Sequence, residues 1–241
     1  MSGSSKETRI EIARSVLAHV PWFAHCRAET LDSFVSKGMI QRFRRDQAIC
    51  RRGAKVAALS VVLTGTVEVS SVAPSGKRHI LTYLSAGEIF NLVPIVDGQP
   101  CIHDASTHES SLLLTIPKGL FQAAVEANPA LSKSVMRLLS MRTRALYHYV
   151  ADNTLLPLHA RCARLLLLLV EYHGMTGHDG HVINLRLSQE RFAEMLGVAR
   201  QSASRELRAM EKDGIIETGY SRFVINDVPA LKRIAEHPDE H

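Results

Sequence analysis

A chain of 241 residues with 46% hydrophobic and 22% charged residues has the composition of a soluble globular protein, long enough for one large domain or two modest ones. Its longest strongly apolar run, Leu165 to Val170, is too short to span a bilayer, and its first twenty residues lack the unbroken apolar core of an export signal, so a cytoplasmic location without a membrane partner is expected. The net charge of +5 suggests nucleic acid but is placed away from the C-terminal part, where residues from Thr154 onward carry 11 Lys+Arg against 12 Asp+Glu, leaving 18 against 12 in the first 153 residues.

The four cysteines, Cys26, Cys50, Cys101 and Cys162, show no CxxC or other tight spacing. Without an export signal a disulfide framework is not expected, and an iron–sulfur cluster of ordinary spacing is disfavoured. Buried inert thiols are the plainer reading.

Ser5 to Val20 reads as a helix with Ile10, Ile12, Ala13, Val16 and Leu17 as its apolar residues, stopped by Pro21. Trp22-Phe23 and then Ala28 to Gly38 suggest a second short helical segment. From Met39 to Ile116 the period changes. Strands are expected at Ile40–Phe43, Ala48–Cys50, Leu59–Leu63, Thr66–Val72, His79–Leu84, Ile89–Val93, Cys101–Ala105 and Leu112–Ile116, punctuated by Gly53, Gly65, Gly76, Gly87 and Gly98. Many short strands at regular spacing predict an all-β barrel or jelly roll with room for at most one small ligand.

Pro117 and Phe121 open a helical region that runs unbroken from about Pro129 to Asn153. Val135, Leu139, Arg142, Leu146, Tyr149 and Asn153 recur there at spacings of 4 and 3, the seam of a coiled coil, with packing on the chain's own barrel as the alternative. Asn153 to Pro157 interrupts the helix and is the expected hinge. Leu158 to Tyr172 resumes as a helix with Cys162, Leu165, Leu166 and Leu169 inward; Gly174, Gly177 and Gly180 mark a loop, and His181 to Leu187 alternates like a strand.

The stretch from Leu187 to Ile216 carries the chemistry. Ser188 is placed to cap a short helix burying Phe192, Ala193 and Leu196, and Gly197 permits a left-handed turn into a second helix near Ala199, which makes a helix-turn-helix. In that second helix Ala203, Leu207 and Met210 share one stripe, while Arg200, Gln201, Ser204, Arg205 and Arg208 share another. Arginines with Gln and Ser between them supply bidentate donors for guanine, an amide for adenine and a hydroxyl for phosphate or base. Ser188, Gln189 and Ser202 complete the expected DNA-binding set. Asp213-Gly214, followed by apolar runs around Gly219-Tyr220-Ser221-Arg222, predicts the hairpin of a winged helix. Self-pairing of the long helix would present two such reading helices about 34 Å apart and so demand a palindromic target.

In this order the sequence resembles the Crp/Fnr superfamily of bacterial transcription regulators across nearly its whole length. The resemblance rests on Leu63-Thr64-Gly65-Thr66-Val67, Ala86-Gly87-Glu88-Ile89-Phe90, the run His159-Ala160-Arg161-Cys162-Ala163-Arg164-Leu165-Leu166, and Gly197 to Arg205. It implies an α+β architecture: an effector-sensing β-roll, a jelly-roll-like barrel with flanking helices, over residues 1–127; a dimerisation helix over 128–153; and a winged helix-turn-helix over 154–241. It further implies a homodimer on double-stranded DNA, with RNA polymerase as a further partner and a small-molecule or gas effector in the roll. Arg200 and Arg205 match the arginines that family members use on DNA, and Ser204 a serine of the Fnr-like branch. Position 201, usually Glu, is Gln here, which alters the expected inner half-site.

The resemblance also places an effector pocket at Leu92, Ile102 and His103, where cyclic-AMP receptors carry a Glu for the ribose and an Arg-Ser pair for the phosphate. Leu and Ile cannot neutralise a phosphate or satisfy a ribose hydroxyl, so cyclic AMP is disfavoured. The Fnr-type N-terminal cysteine cluster is missing. Cys101 and His103, two apart on an expected strand, raise haem or a metal as a cofactor, against a histidine beside a buried thiol as the plainer reading. A rival class is a roll-regulated enzyme or binding module whose winged helix meets protein; no GxSxG, phosphate loop or HExxH supports catalysis.

Overall fold

The computed structural model describes residues 2–177 and 180–237. The chain divides into two compact units, Met1–Lys77 with Leu81–Thr143 and Arg78–Ile80 with Arg144–His241.

The first unit opens with α1 (Ser2–His19), which buries Ala13 and Leu17 four residues apart on one face. A short 3₁₀ turn at Pro21–Phe23 follows, then α2 (Ala28–Lys37), which buries Phe34 and Val35. The strands are β1 (Met39–Phe43), β2 (Ala48–Cys50), β3 (Ala58–Thr64), β4 (Val67–Val72), β5 (Arg78–Leu84), β6 (Ile89–Phe90), β7 (Asp104–Thr107) and β8 (Ser111–Pro117), with α3 (Leu92–Asp97) between β6 and β7. They form two four-stranded sheets, β1-β8-β3-β6 and β2-β7-β4-β5. Helix α4 (Lys118–Ala127) and the long α5 (Pro129–Leu155) follow.

Period-two side chains sort this unit into two cores. Along β3 and β8, Val62 and Leu113 join Phe43, Val67, Val69, Leu84, Phe90 and Ala105 in one cluster. Their neighbours Val61, Leu63, Leu112 and Leu114 turn the other way, onto a cluster with α1, α2, α4 and the start of α5. There Phe34 stands between Phe23 and Phe121, with ring centroids 5.8 and 6.2 Å away. Because both faces are buried, these strands read as continuous apolar runs. Gly65 makes the tight link from β3 to β4: its φ is +81°, and a Cβ there would stand 2.5 Å from Ser111 Oγ and 2.7 Å from the Ser110 carbonyl.

Four segments differ from the sequence expectation, one of them the strand expected over His181 to Leu187, which ends at Ile183. The strand expected through Val93 stops at Phe90, because Asn91 turns left-handed (φ 66°) and Leu92 begins a helix. The strand expected from Cys101 begins instead at Asp104. Cys101 spends its N–H on Ala54 and its carbonyl on Gly53, both at 2.8 Å, in a loop pairing, so Cys101 and His103 do not share a strand face. The glycines expected to form a loop after the second long helix lie instead on two antiparallel strands, β9 (Gly174–Gly177) and β10 (Gly180–Ile183); His178 and Asp179 lie outside the described residues.

In the second unit α6 (Leu158–His173) buries Ala160, Cys162, Ala163, Leu166 and Leu169. It is followed by β9, β10, α7 (Gln189–Leu196), α8 (Arg200–Lys212), β11 (Ile216–Gly219), β12 (Arg222–Ile225) and α9 (Val228–Glu236). The four strands pair in the order β11-β12-β10-β9, and α9, capped by Asp227 on the Ala230 N–H at 2.8 Å, packs on α6. Among the described residues no helix is long and apolar enough to cross a membrane.

Candidate nucleic-acid interface

Local chemistry sets the angle between α7 and α8. Ser188 Oγ accepts the Arg191 N–H at 3.2 Å and starts α7; Gly197, left-handed at φ 69°, ends it, and the Val198 N–H closes back on the Ala193 carbonyl at 3.1 Å. The chain then enters α8 at Ala199 without a side-chain cap, which leaves the positive end of the helix dipole available to an anion.

Ala203, Leu207 and Met210 are fully buried, which fixes the rotation of α8 and turns Arg200, Gln201, Arg205 and Arg208 to solvent. Ser202 and Ser204 are half-buried beside them. Of the remaining expected DNA contacts, Ser188 already serves as the α7 cap, and Gln189 is half-buried at the first turn of α7.

Glu206 is half-buried between the two stripes of α8. In the fold its Oε1 accepts from Arg205 Nε and Nη2 at 3.1 and 3.0 Å, and its Oε2 meets His159 Nδ1 at 3.2 Å. His159 belongs to a run on α6 whose other basic residues also hold this unit together. Arg161 donates to the carbonyl of Leu196, the last residue of α7, at 2.6 Å; Arg164 pairs with Asp152 and donates to the Ala235 carbonyl of α9. Behind α8, Glu211 Oε1 accepts from both the backbone and the hydroxyl of Thr218, at 2.9 and 3.0 Å, and so sets the wing. The wing tip carries Tyr220, fully exposed, then Ser221 in the left-handed region and exposed Arg222.

The residues expected to form the effector pocket differ in exposure. Leu92 is buried in the helix-side core and Ile102 is 54% exposed. His103 is half-buried, its Nε2 enclosed without a hydrogen-bond partner. Burial lowers the His103 pKa, and the charge of Arg142 adds to that; Asp104 opposes both. Among the described residues no group of three or more His, Cys, Asp and Glu is arranged to hold a metal ion.

The expected dimerisation set also divides. Val135 is in the helix-side core, Leu139 is half-buried against it, and Leu146 and Tyr149 are exposed. Arg142 lies inward: its Nη2 donates to the Ile89 carbonyl of β6. Burial lowers its pKa, while Glu88 raises it; Glu88 is itself raised by burial, against the Ser85 N–H and Arg142.

A β-roll, a long helix and a winged helix-turn-helix with an outward arginine face together define a DNA-binding transcription regulator. Residues 40–128 match the cyclic nucleotide-binding domain family and residues 160–234 the Crp-like helix-turn-helix domain family, together more than half of the chain. The chain belongs to the Crp/Fnr family of transcription regulators. It is 28% identical to the transcriptional regulator LdrP of Thermus thermophilus, over 81% of this chain and 96% of that one. It is 23% identical to the CRP-like cAMP-activated global transcriptional regulator of Mycobacterium tuberculosis, over 80% and 86%. The solved structure of FixK2 from Bradyrhizobium japonicum has the same fold, with a TM-score of 0.74 at 17% identity over 81% of this chain and 96% of that one. The rival reading, a roll-regulated enzyme or protein-binding module, is not favoured by these relatives.

Proposed function

We propose that this regulator works as a homodimer on an inverted-repeat operator. In this reading, residues 1–127 are the sensing part, 128–153 the dimerisation helix and 154–241 the DNA-binding part. The observation that carries it is the exposure of Arg200, Gln201, Arg205 and Arg208 on one side of α8 while its apolar side is fully buried. Arg200 and Arg205 are assigned to guanine edges, Gln201 to an adenine, Ser202 and Ser204 to phosphate or base, and Arg208 to the backbone. Tyr220 and Arg222 of the wing are assigned to flanking phosphates.

The proposed dimer seam is Met136, Leu139, Thr143, Leu146 and Val150, at spacings of 3, 4, 3 and 4 along α5. It keeps Leu139 and Leu146 of the expected seam and replaces Val135, Arg142 and Tyr149 by their next neighbours. Its support is that Met136, Leu146 and Val150 are 59%, 61% and 54% exposed, whereas Val135 and Arg142 are turned inward. The effector is proposed to be something other than a cyclic nucleotide, because Leu92 and Ile102 offer no charge or hydrogen bond to a phosphate or ribose. Contact with RNA polymerase is proposed for the DNA-bound dimer.

Selection of bound fragments from a random DNA pool tests this reading. The expected result is an inverted repeat with half-sites one helical turn apart, bound with a steep salt dependence. Recovery of no repeat, or of single half-sites only, would overturn it.

A further inference from the structure

The thiols of Cys50 and Cys101, 51 residues apart in sequence, meet in the wall of the roll with their sulfurs 3.5 Å from each other. Cys50 ends β2 and is half-buried; Cys101 is 2% exposed and is fixed by the two backbone hydrogen bonds that join it to Gly53 and Ala54. Both thiols lie within reach of Asn91 Oδ1, at 3.7 and 3.5 Å, and Cys101 Sγ is nearer still to the His103 carbonyl, at 3.1 Å. Asn91 is buried and left-handed at the start of α3, two residues beyond Ile89, whose carbonyl receives Arg142 from α5.

We propose that Cys50 and Cys101 are a reversible disulfide site, and that its oxidation state is transmitted through Asn91 and the Ile89 carbonyl to the long helix. The oxidant is a low-molecular-weight disulfide. The Cys50 thiolate attacks one of its sulfurs and expels one thiol, forming a mixed disulfide; the Cys101 thiolate then attacks Cys50 Sγ and expels the second thiol. Two cysteine thiols lose two electrons and two protons, and the small disulfide becomes two thiols. The closed bond needs the sulfurs to approach to about 2.05 Å. It also consumes both S–H donors, so the buried Asn91 carboxamide oxygen and the His103 carbonyl lose their thiol contacts and the turn at Asn91 has reason to shift. Cys50 is the entry point because it alone of the pair is accessible. Burial and then the neighbouring Cys101 push its pKa up to about 12, so thiolate is scarce at neutral pH and closure is expected to be slow and to accelerate with alkali. Cys26 and Cys162, raised by burial to about 11 and about 12, lie on the turn after Phe23 and on α6 and serve as internal controls.

The disulfide itself is tested without DNA. Full-length protein is equilibrated in glutathione buffers from reducing to oxidising, acid-quenched, alkylated and digested for mass measurement. The expected product is a Cys50–Cys101 peptide pair lighter by two hydrogens, reversed by dithiol, absent in Cys50→Ser and Cys101→Ala, and unchanged in Cys26→Ser and Cys162→Ser. Free alkylated thiols at both positions in fully oxidising buffer, or arrest at a glutathione adduct on Cys50, would overturn the site.

Transmission rests on the DNA-binding reading and is tested on the selected operator. Oxidised and reduced protein should differ in affinity by about fivefold or more, a difference lost in Cys50→Ser and in Cys101→Ala. Equal affinities would overturn the transmission. Absence of DNA binding in both forms would overturn the DNA reading, and the mass measurement would still decide the disulfide.

Discussion

Glu206 holds Arg205: one carboxylate oxygen accepts from both Nε and Nη2 of the guanidinium at 3.1 and 3.0 Å, although the Arg205 side chain is 76% exposed. The acid is anchored from behind by His159, so it acts as a fixed post that aims a solvent-facing donor. A pair so exposed adds little to stability. Its consequence is for selectivity, because a guanidinium that must leave a carboxylate does so most readily for a partner offering two acceptors in the same plane. Glu206→Gln should therefore tighten binding to random DNA, on the order of tenfold at low salt, while binding to the selected operator changes less. Band shifts on both DNAs measure the ratio; an unchanged ratio would exclude the aiming role.

Arg200→Ala and Arg205→Ala should each cost about 1–3 kcal/mol of operator affinity and relax the preference at one base pair per half-site. Neither should alter the oligomeric state, since both side chains are exposed on α8. Competition with single-base operator variants reads the effect. Arg205→Lys should not restore selectivity, because a lysine has no fork to present to guanine.

Leu146→Glu with Val150→Glu should dissociate the dimer and with it the operator complex, at unchanged helix content. Arg142→Met should do the reverse. Arg142 supplies the hydrogen bond to the Ile89 carbonyl and a countercharge for Glu88 inside the first unit, so its loss should lower stability by about 1–3 kcal/mol without separating the protomers. Sedimentation and denaturant melts on the two variants separate seam from interior; a monomeric Arg142→Met protein would return Arg142 to the seam.

The contrast between those variants shows what the sequence carried and where it was ambiguous. The turn at Gly197 and the two stripes of α8 were legible because one local rule, cap then left-handed glycine then period 3.6, fixes them without reference to distant residues. On α5 the positions 135/142/149 and 136/143/150 give the same heptad spacing, and only the presence of the roll's core against Leu131, Val135 and Leu138 decides which of them faces inward. Glu206 was illegible for the same reason: its partner His159 is 47 residues away. The Cys50–Cys101 meeting depends on a loop pairing that no spacing rule encodes. The strand expected through Val93 failed because a buried apolar run of this length fits a strand or a short helix equally, and the left-handed Asn91 settled it.

The roll should weaken as pH falls, and His103 identifies the cause. Its folded pKa is lowered below the ordinary value of 6.5, first by burial and then by Arg142, so below about 6.5 the unfolded chain binds protons that the folded one does not. Stability contributed by the neutral ring is then complete above pH 6.5 and declines as the pH drops through the window beneath it. Glu88 acts with the opposite sign: its folded pKa is raised, so its contribution falls as pH climbs above the ordinary carboxylate value. His173, also lowered by burial, slopes as His103 does but sits on α6. Wild type alone therefore cannot assign the slope, whereas the difference between wild type and His103→Gln can. That difference in unfolding free energy should grow steadily from pH 5.5 to 7, by no more than about 1.4 kcal/mol per pH unit, and then level off. In Arg142→Met the His103 midpoint, followed by its ring-proton resonance, should move back up toward 6.5, because one of the two lowering influences has gone. A midpoint that stays put would mean that Arg142 is too far or too well screened by Glu88 to be felt at the ring, and burial alone would then account for the depression.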